Sequence, residues 1–170
     1  VYILMVKNKQ QHYSQLAQQV KAIVAGEQDL VANMANISAI LYWALDNINW
    51  VGFYLVKEQQ LVLGPFHGQP ACIRIPIGKG VCGTAVSENM IQLIDDVHQF
   101  SGHIACDAAS NSEIVLPIRQ NNQIIAVLDI DSPDIARFDL DDKAGLSQIV
   151  DILQTTLCHA NEVEARSVVR

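Results

Sequence analysis

The sequence predicts an α+β domain with helices from both chain ends packed on a central antiparallel sheet. Apolar residues recur at helical spacing near each end, whereas the middle alternates in short runs rich in aromatic and β-branched residues. Short polar turns join neighbouring runs, so hairpins are the simplest pairing. At 170 residues the chain has material for one domain with a real core.

Taken in order, Tyr13, Leu16, Ala17, Val20, Ile23 and Val24 form a helical stripe that Gly26 stops. Asp29 caps a second helix carrying Leu30, Met34, Ile37 and Leu41. Ile48 to Val56 reads as a strand, turned by Lys57 to Gln60 into Leu61 to Phe66. Cys72 to Ile77 reads as another, and Gly78, Gly80 and Gly83 surround a short helical turn ending near Glu88. Ile91 to Ile94 is a further short strand. The stretch from Asp95 to Asn111 lacks periodicity, and an irregular segment of that length in a compact domain is usually functional or mobile. Glu113 to Arg119 and Gln123 to Asp131 are strong strands across a Gln-Asn-Asn turn. Asp139, with Asp142 after it, opens a last helix with Leu146, Ile149, Leu153 and Leu157 on one stripe. The expected division is an N-terminal extension and helix over 1–25, the main domain over 26–160 and a tail over 161–170.

Composition excludes several classes. The net charge of −7, from 18 acidic against 11 basic residues, offers no cationic footprint for phosphate, so neither nucleic acid nor an acidic membrane surface is an expected partner. No run approaches the roughly 20 apolar residues that span a bilayer. Val1 to Val6 is apolar but too short for a signal peptide and lacks its basic flank. The expected location is therefore the cytoplasm, where the four cysteines, Cys72, Cys82, Cys106 and Cys158, are read as chemistry before they are read as staples.

Side chains alternate along a strand, so Asp129 and Asp131 extend the apolar face of Ile125 and Val127. Two carboxylates ending an apolar row are partly desolvated, and their repulsion raises one pKa further. Glu113 opens the preceding strand, and a hairpin brings it to the same end. Three acids converging there suit an ammonium ion together with one proton donor. Pattern alone leaves the plainer alternative open, in which Asp131-Ser132-Pro133 ends a strand and Glu113 is solvated.

Cys106 lies in the irregular segment beside no apolar run, which favours an accessible, reactive thiol. An unperturbed thiol is only about 3% thiolate at pH 7, so it needs help from its surroundings. Cys72 follows Gly68-Gln69-Pro70, Cys82 sits in the Gly-rich turn, and composition leaves buried and redox roles equally open for both. Cys158, at a helix end, reads as a small hydrophobe. Cys82, His98, His103 and Cys106 share a modest span, yet the chain has no Cys-x-x-Cys pair and no His pair at zinc spacing, so no metal is expected. Gly78-Lys79-Gly80 lacks the length and ending of a phosphate-binding loop, and no cofactor is expected either.

Asn49 to Tyr54, Leu63 to Phe66, Gly80 to Ala85, Val127 to Asp131 and above all Gly102 to Val115 resemble the free methionine-(R)-sulfoxide reductases, stand-alone GAF-domain enzymes. The resemblance covers roughly Leu30 to Leu157 and implies a GAF fold for the main domain. It implies Cys106 as nucleophile, Cys72 as the cysteine that resolves it, and Cys82 as a third cysteine in a supporting role. It further implies Glu113, Asp129 and Asp131 as acids lining the substrate pocket, with Trp50 and Tyr54 as its aromatic wall. Free methionine-(R)-sulfoxide is the implied substrate, thioredoxin the implied reductant and a homodimer the implied assembly, which the apolar first helix also suggests. GAF sensor modules share the fold without this cysteine pattern, and a small-ligand sensor without catalysis is the alternative reading.

Overall fold

The computed structural model describes residues 2–102 and 108–167, with side chains for 9–102 and 108–157. Among the described residues four α-helices, α1 (Tyr2–Ile23), α2 (Leu30–Ala44), α3 (Gly80–Glu88) and α4 (Leu140–Ser167), accompany six strands. The strands are β1 (Trp50–Lys57), β2 (Gln60–His67), β3 (Arg74–Pro76), β4 (Gln92–Ile94), β5 (Ser112–Gln120) and β6 (Gln123–Ser132). They form one sheet in the order β3-β2-β1-β6-β5-β4, antiparallel at every pairing.

The expected α+β architecture is present, and its local chemistry is the one the sequence signals. Asp29 accepts a hydrogen bond from Ala32 N and caps α2. Asp139 accepts from the backbone of Asp141 and Asp142 while Asp142 reaches back to Asp139 N at 2.9 Å, a reciprocal cap for α4. Asn121 and Asn122 both hold positive φ, 53° and 63°, as the tight turn between β5 and β6 requires. β3 is shorter than the expected Cys72–Ile77 strand. It pairs on one side only, against Gln60 to Val62, and Pro76 has no N–H to extend it.

The sheet is buried on both faces. One face carries Val51, Phe53, Ile114, Leu116, Ile118, Leu128 and Ile130 against α1, α2 and α4. There Asp142 is fully buried and receives Lys9 Nζ at 2.6 Å, Tyr13 Oη at 2.8 Å and Arg137 Nη1 at 3.3 Å, which ties α1 to α4. Gly145 makes that approach possible, because a Cβ there would meet the Tyr13 ring. The opposite face carries Trp50, Tyr54, Val115 and Val127, covered by Val81, Cys82 and Ala85 of α3. That second, smaller core surrounds the candidate site. Among the described residues no helix is long and apolar enough to cross a membrane.

Candidate active site

Register decides which side chains meet. Glu113 pairs with Asp131 and Val115 with Asp129 across β5 and β6. Across β6 and β1, Asp131 pairs with Trp50, Asp129 with Gly52 and Val127 with Tyr54. Cross-strand partners share a face, so Trp50, Tyr54, Glu113, Asp129 and Asp131 all stand on the α3 side. The hairpin expected from the sequence thus brings the three acids together. Glu113 and Asp129 are each 6% exposed, and Asp131 is half-buried.

Cys82, on the first turn of α3, projects into the same space. Its Sγ lies 3.9 Å from Glu113 Oε1, and that sulfur with one oxygen each of Glu113 and Asp129 all lie within 4.8 Å of one another. Burial, and then the charges of Asp129 and Asp131, hold the Glu113 carboxyl well above the usual range. Burial pushes Asp129 up to about 6, opposed by contacts from the Cys82 thiol and the Glu113 acid that favour its charged form. Burial, Asp129 and Glu113 likewise raise the Cys82 thiol, and burial followed by Asp129 raises the Tyr54 phenol. Burial thus favours the protonated form of each group in this cluster, and the neighbouring acids reinforce that for Glu113, Cys82 and Tyr54. Asp129 Oδ1 is buried and has no hydrogen-bond partner among the described residues. An anionic oxygen so placed favours a cationic donor.

The aromatic wall is built on glycine. Trp50 stacks on Phe66 at 5.3 Å and on Tyr54 at 5.9 Å, and its Nε1 donates to Gln69 O at 3.1 Å. A Cβ on Gly52 would meet Phe66 Cβ and would stand 2.6 Å from Trp50 Cη2, so only glycine leaves room for the indole across β1. Gly68, at φ 133°, is similarly close to the indole, with a Cβ 2.5 Å from Trp50 Cδ1. Gly52, Phe66 and Gly68 were not singled out individually from sequence. A glycine inside a strongly β-patterned run is the signal that marks Gly52, since it indicates close approach of another group.

The cysteines separate into distinct settings. Cys82 is a buried free thiol. Cys72 lies just before β3, is partly buried and is disulfide-bonded. Its carbonyl accepts from Tyr54 Oη at 3.0 Å, which fastens the Cys72 backbone to the acid-lined face. Cys106 and His103 lie outside the described residues, as does the side chain of Cys158. The flanks of the Cys106 segment are anchored beside the site. Gly80 N donates to Gly102 O at 3.2 Å, Asn49 Nδ2 to Ser110 Oγ at 3.1 Å, and Asn111 N to Ser132 O at 2.7 Å. His98 pairs instead with Asn111 Oδ1 at 2.8 Å on the surface.

A family model described as a GAF domain matches residues 33–157. The free methionine-R-sulfoxide reductase of Escherichia coli (strain K12) is 57% identical over 150 residues, covering 88% of this chain and 91% of that one. This chain belongs to the free methionine-R-sulfoxide reductase family. A structure of the Staphylococcus aureus fRMsr in complex with substrate superposes with a TM-score of 0.82 at 54% identity, covering 85% of this chain and 95% of the other. The Neisseria meningitidis free methionine-R-sulfoxide reductase in complex with its substrate gives 0.85 at 41% identity, over 89% and 91% of the two chains. The GAF fold implied by the sequence resemblance is thereby established, and within it the acids, Trp50 and Tyr54 of this family member share the sheet face that Cys82 and α3 cover.

Proposed function

We propose that this chain reduces free L-methionine-(R)-sulfoxide to L-methionine, with Cys106 as nucleophile, Cys72 as its resolving partner and thioredoxin as the external reductant. The observation that carries the reading is the strand register that gathers Glu113, Asp129 and Asp131 with Trp50 and Tyr54 on one face under α3, where the buried Asp129 Oδ1 has no hydrogen-bond partner among the described residues. The substrate is a zwitterion with a sulfoxide. Asp129, with Asp131 beside it, receives the α-ammonium, and the Trp50 wall receives the S-methyl group.

A sulfoxide sulfur is electrophilic, and its S–O bond breaks readily only when the oxygen is protonated. Cys106 thiolate attacks that sulfur while Glu113 donates its proton to the oxygen. Oxygen passes to Cys106, methionine departs as the thioether, and Cys106 is left as a sulfenic acid. Cys72 thiol then displaces the hydroxyl as water and forms a disulfide with Cys106. A thioredoxin dithiol reduces that disulfide by exchange and is itself oxidised, which closes the cycle. Cys82, held as a neutral thiol by its acidic surroundings, is poorly suited to attack and serves the packing of α3 over the acids. The disulfide state of Cys72 and the anchored flanks of the Cys106 segment support these roles.

Specificity for the free amino acid follows from the ammonium contact. A peptide nitrogen carries no charge, and leaving a buried carboxylate unpaired costs roughly 2–5 kcal/mol, about 30-fold to several thousand-fold in rate. The resemblance also implies a homodimer, and sedimentation of the purified chain measures it.

The deciding assay supplies each free sulfoxide epimer with thioredoxin, its reductase and the nicotinamide cofactor, and follows cofactor oxidation. The R epimer is consumed, and Cys106→Ser abolishes turnover. Retained turnover in Cys106→Ser rejects the proposal, and binding of sulfoxide without turnover by the unaltered chain supports the sensor reading instead. Cys72→Ser releases about one methionine per enzyme and then stops cycling with thioredoxin.

A further inference from the structure

We infer that Cys82, Glu113 and Asp129 form a binding site for a thiophilic divalent cation of the zinc type, which excludes substrate from the chamber while bound. The consequence for substrate rests on the proposed function, whereas the binding itself does not.

The site is assembled by tertiary structure. α3 supplies a sulfur, β5 and β6 each supply a carboxylate oxygen, and the three atoms lie within 4.8 Å of one another. Ligands around a tetrahedral zinc ion, at about 2.3 Å for sulfur and 2.0–2.2 Å for oxygen, stand roughly 3.3–3.7 Å apart. The Cys82 Sγ to Glu113 Oε1 separation is already 3.9 Å, so a small rotation of either side chain closes the set. All three residues are more than nine-tenths buried, which removes most competition from water. Asp129 Oδ1 supplies the second, independent observation, because it is a buried acceptor without a hydrogen-bond donor among the described residues.

Ligand chemistry selects the ion. One thiolate with two carboxylates carries enough negative charge for a divalent cation and favours zinc-type ions over magnesium or calcium, which take all-oxygen sets. Three protein ligands leave a fourth position for water. On binding, metal–ligand bonds replace the thiol and carboxyl protons, which leave to solvent, and no oxidation state changes. Sequence spacing gave no sign of such a site because Cys82 and Glu113 are 31 positions apart and on different elements. The pairing considered from spacing, with His98, His103 and Cys106, involves a different set, and His98 is engaged elsewhere.

An ion here occupies the same Asp129 and Glu113 oxygens that the proposed reaction uses for the ammonium and the proton. It therefore competes directly with sulfoxide.

Cobalt(II) is the probe, because thiolate ligation gives an intense charge-transfer absorption that carboxylates alone do not. In the reduced full-length Cys72→Ser/Cys106→Ser variant, Co2+ is expected to produce that absorption and to saturate at about one ion per chain. Adding Cys82→Ser removes the signal although Cys158 remains, and adding Asp129→Asn weakens binding at least about tenfold. Absence of the signal before Cys82 is replaced, or its persistence afterwards, overturns the site. In the reduced unaltered chain, Zn2+ raises the apparent KM for the free sulfoxide with kcat unchanged and a chelator reverses it. A fall in kcat at constant KM overturns the exclusion of substrate. A cobalt signal in that variant together with no reductase activity in the unaltered chain rejects the proposed function and keeps the metal site, and activity of the unaltered chain without a cobalt signal in the variant does the reverse.

Discussion

Glu113 and Asp129 stand one diagonal step apart on the same face of the β5–β6 hairpin, both buried, with Val115 directly opposite Asp129 and Asp131 directly opposite Glu113. The fold holds two acids together under α3, where water cannot screen them. Energetically this is an opposing contribution to folding, retained in a place where it prepares the protonation states that the proposed chemistry uses.

Stability records that opposition. Asp129 titrates near 6 in the fold against a usual value of 3.8, so between those values the folded chain binds more protons than the unfolded one. The Asp129 contribution to stability therefore falls as pH rises from about 4 through about 6, by up to about 3 kcal/mol, and the raised Glu113 carboxyl adds a fall in the same direction. Asp129→Asn removes the Asp129 part of the dependence. Urea unfolding of the reduced chain is expected to show the variant more stable than the parent at pH 8, with the difference closing near pH 4.

Kinetics separate the two acids. Glu113→Gln, which removes the proposed proton donor, is expected to lower kcat by about 10²–10⁴, with a smaller effect on KM. Asp129→Asn, which weakens the proposed ammonium contact, is expected to lower kcat/KM by roughly 30-fold or more, mostly through KM. Steady-state assays of both variants with free sulfoxide check the assignment, and reversed patterns exchange the roles.

Gly52→Ala is expected to be among the most damaging single-methyl additions in the chain. Its Cβ would stand 2.9 Å from Phe66 Cα, a backbone atom, as well as crowding the Trp50 ring. Overpacking of this kind costs about 1–3 kcal/mol or more and displaces the indole. Thermal unfolding measures the loss, and tryptophan fluorescence the displacement.

Asp142 anchors the far side of the sheet. Asp142→Ala leaves Lys9, Tyr13 and Arg137 without their common partner and costs about 3–5 kcal/mol, whereas Tyr13→Phe removes one charge-assisted hydrogen bond at about 1.5–3 kcal/mol. Urea midpoints give both. The ratio of KM to kcat should change in neither, since the network lies on the face opposite the acids.

Much of this arrangement was legible in the sequence because local rules and global fold agree. Alternation alone put Asp129 and Asp131 on one face, and the Asn-Asn turn put Glu113 at their end of the hairpin. The caps of α2 and α4 stand where Asp29 and Asp139 announced them. The place of Cys82 was not legible, because α3 reaches the acids only through tertiary packing and no periodicity encodes that approach. The glycine floor beneath Trp50 was equally silent, since a strand glycine states that something comes close but not what. β3 was overextended because an edge strand stops where its neighbour and its prolines stop it, and neither is visible in a local pattern.

Both acids ride on a single hairpin closed by two asparagines, so they become neighbours through contacts short in sequence, while Cys82 arrives from far along the chain. Contacts of that kind form quickly, and distant ones follow. A growing chain thus sets its charges side by side while they are still hydrated, and meets the electrostatic penalty only when the lid helix settles.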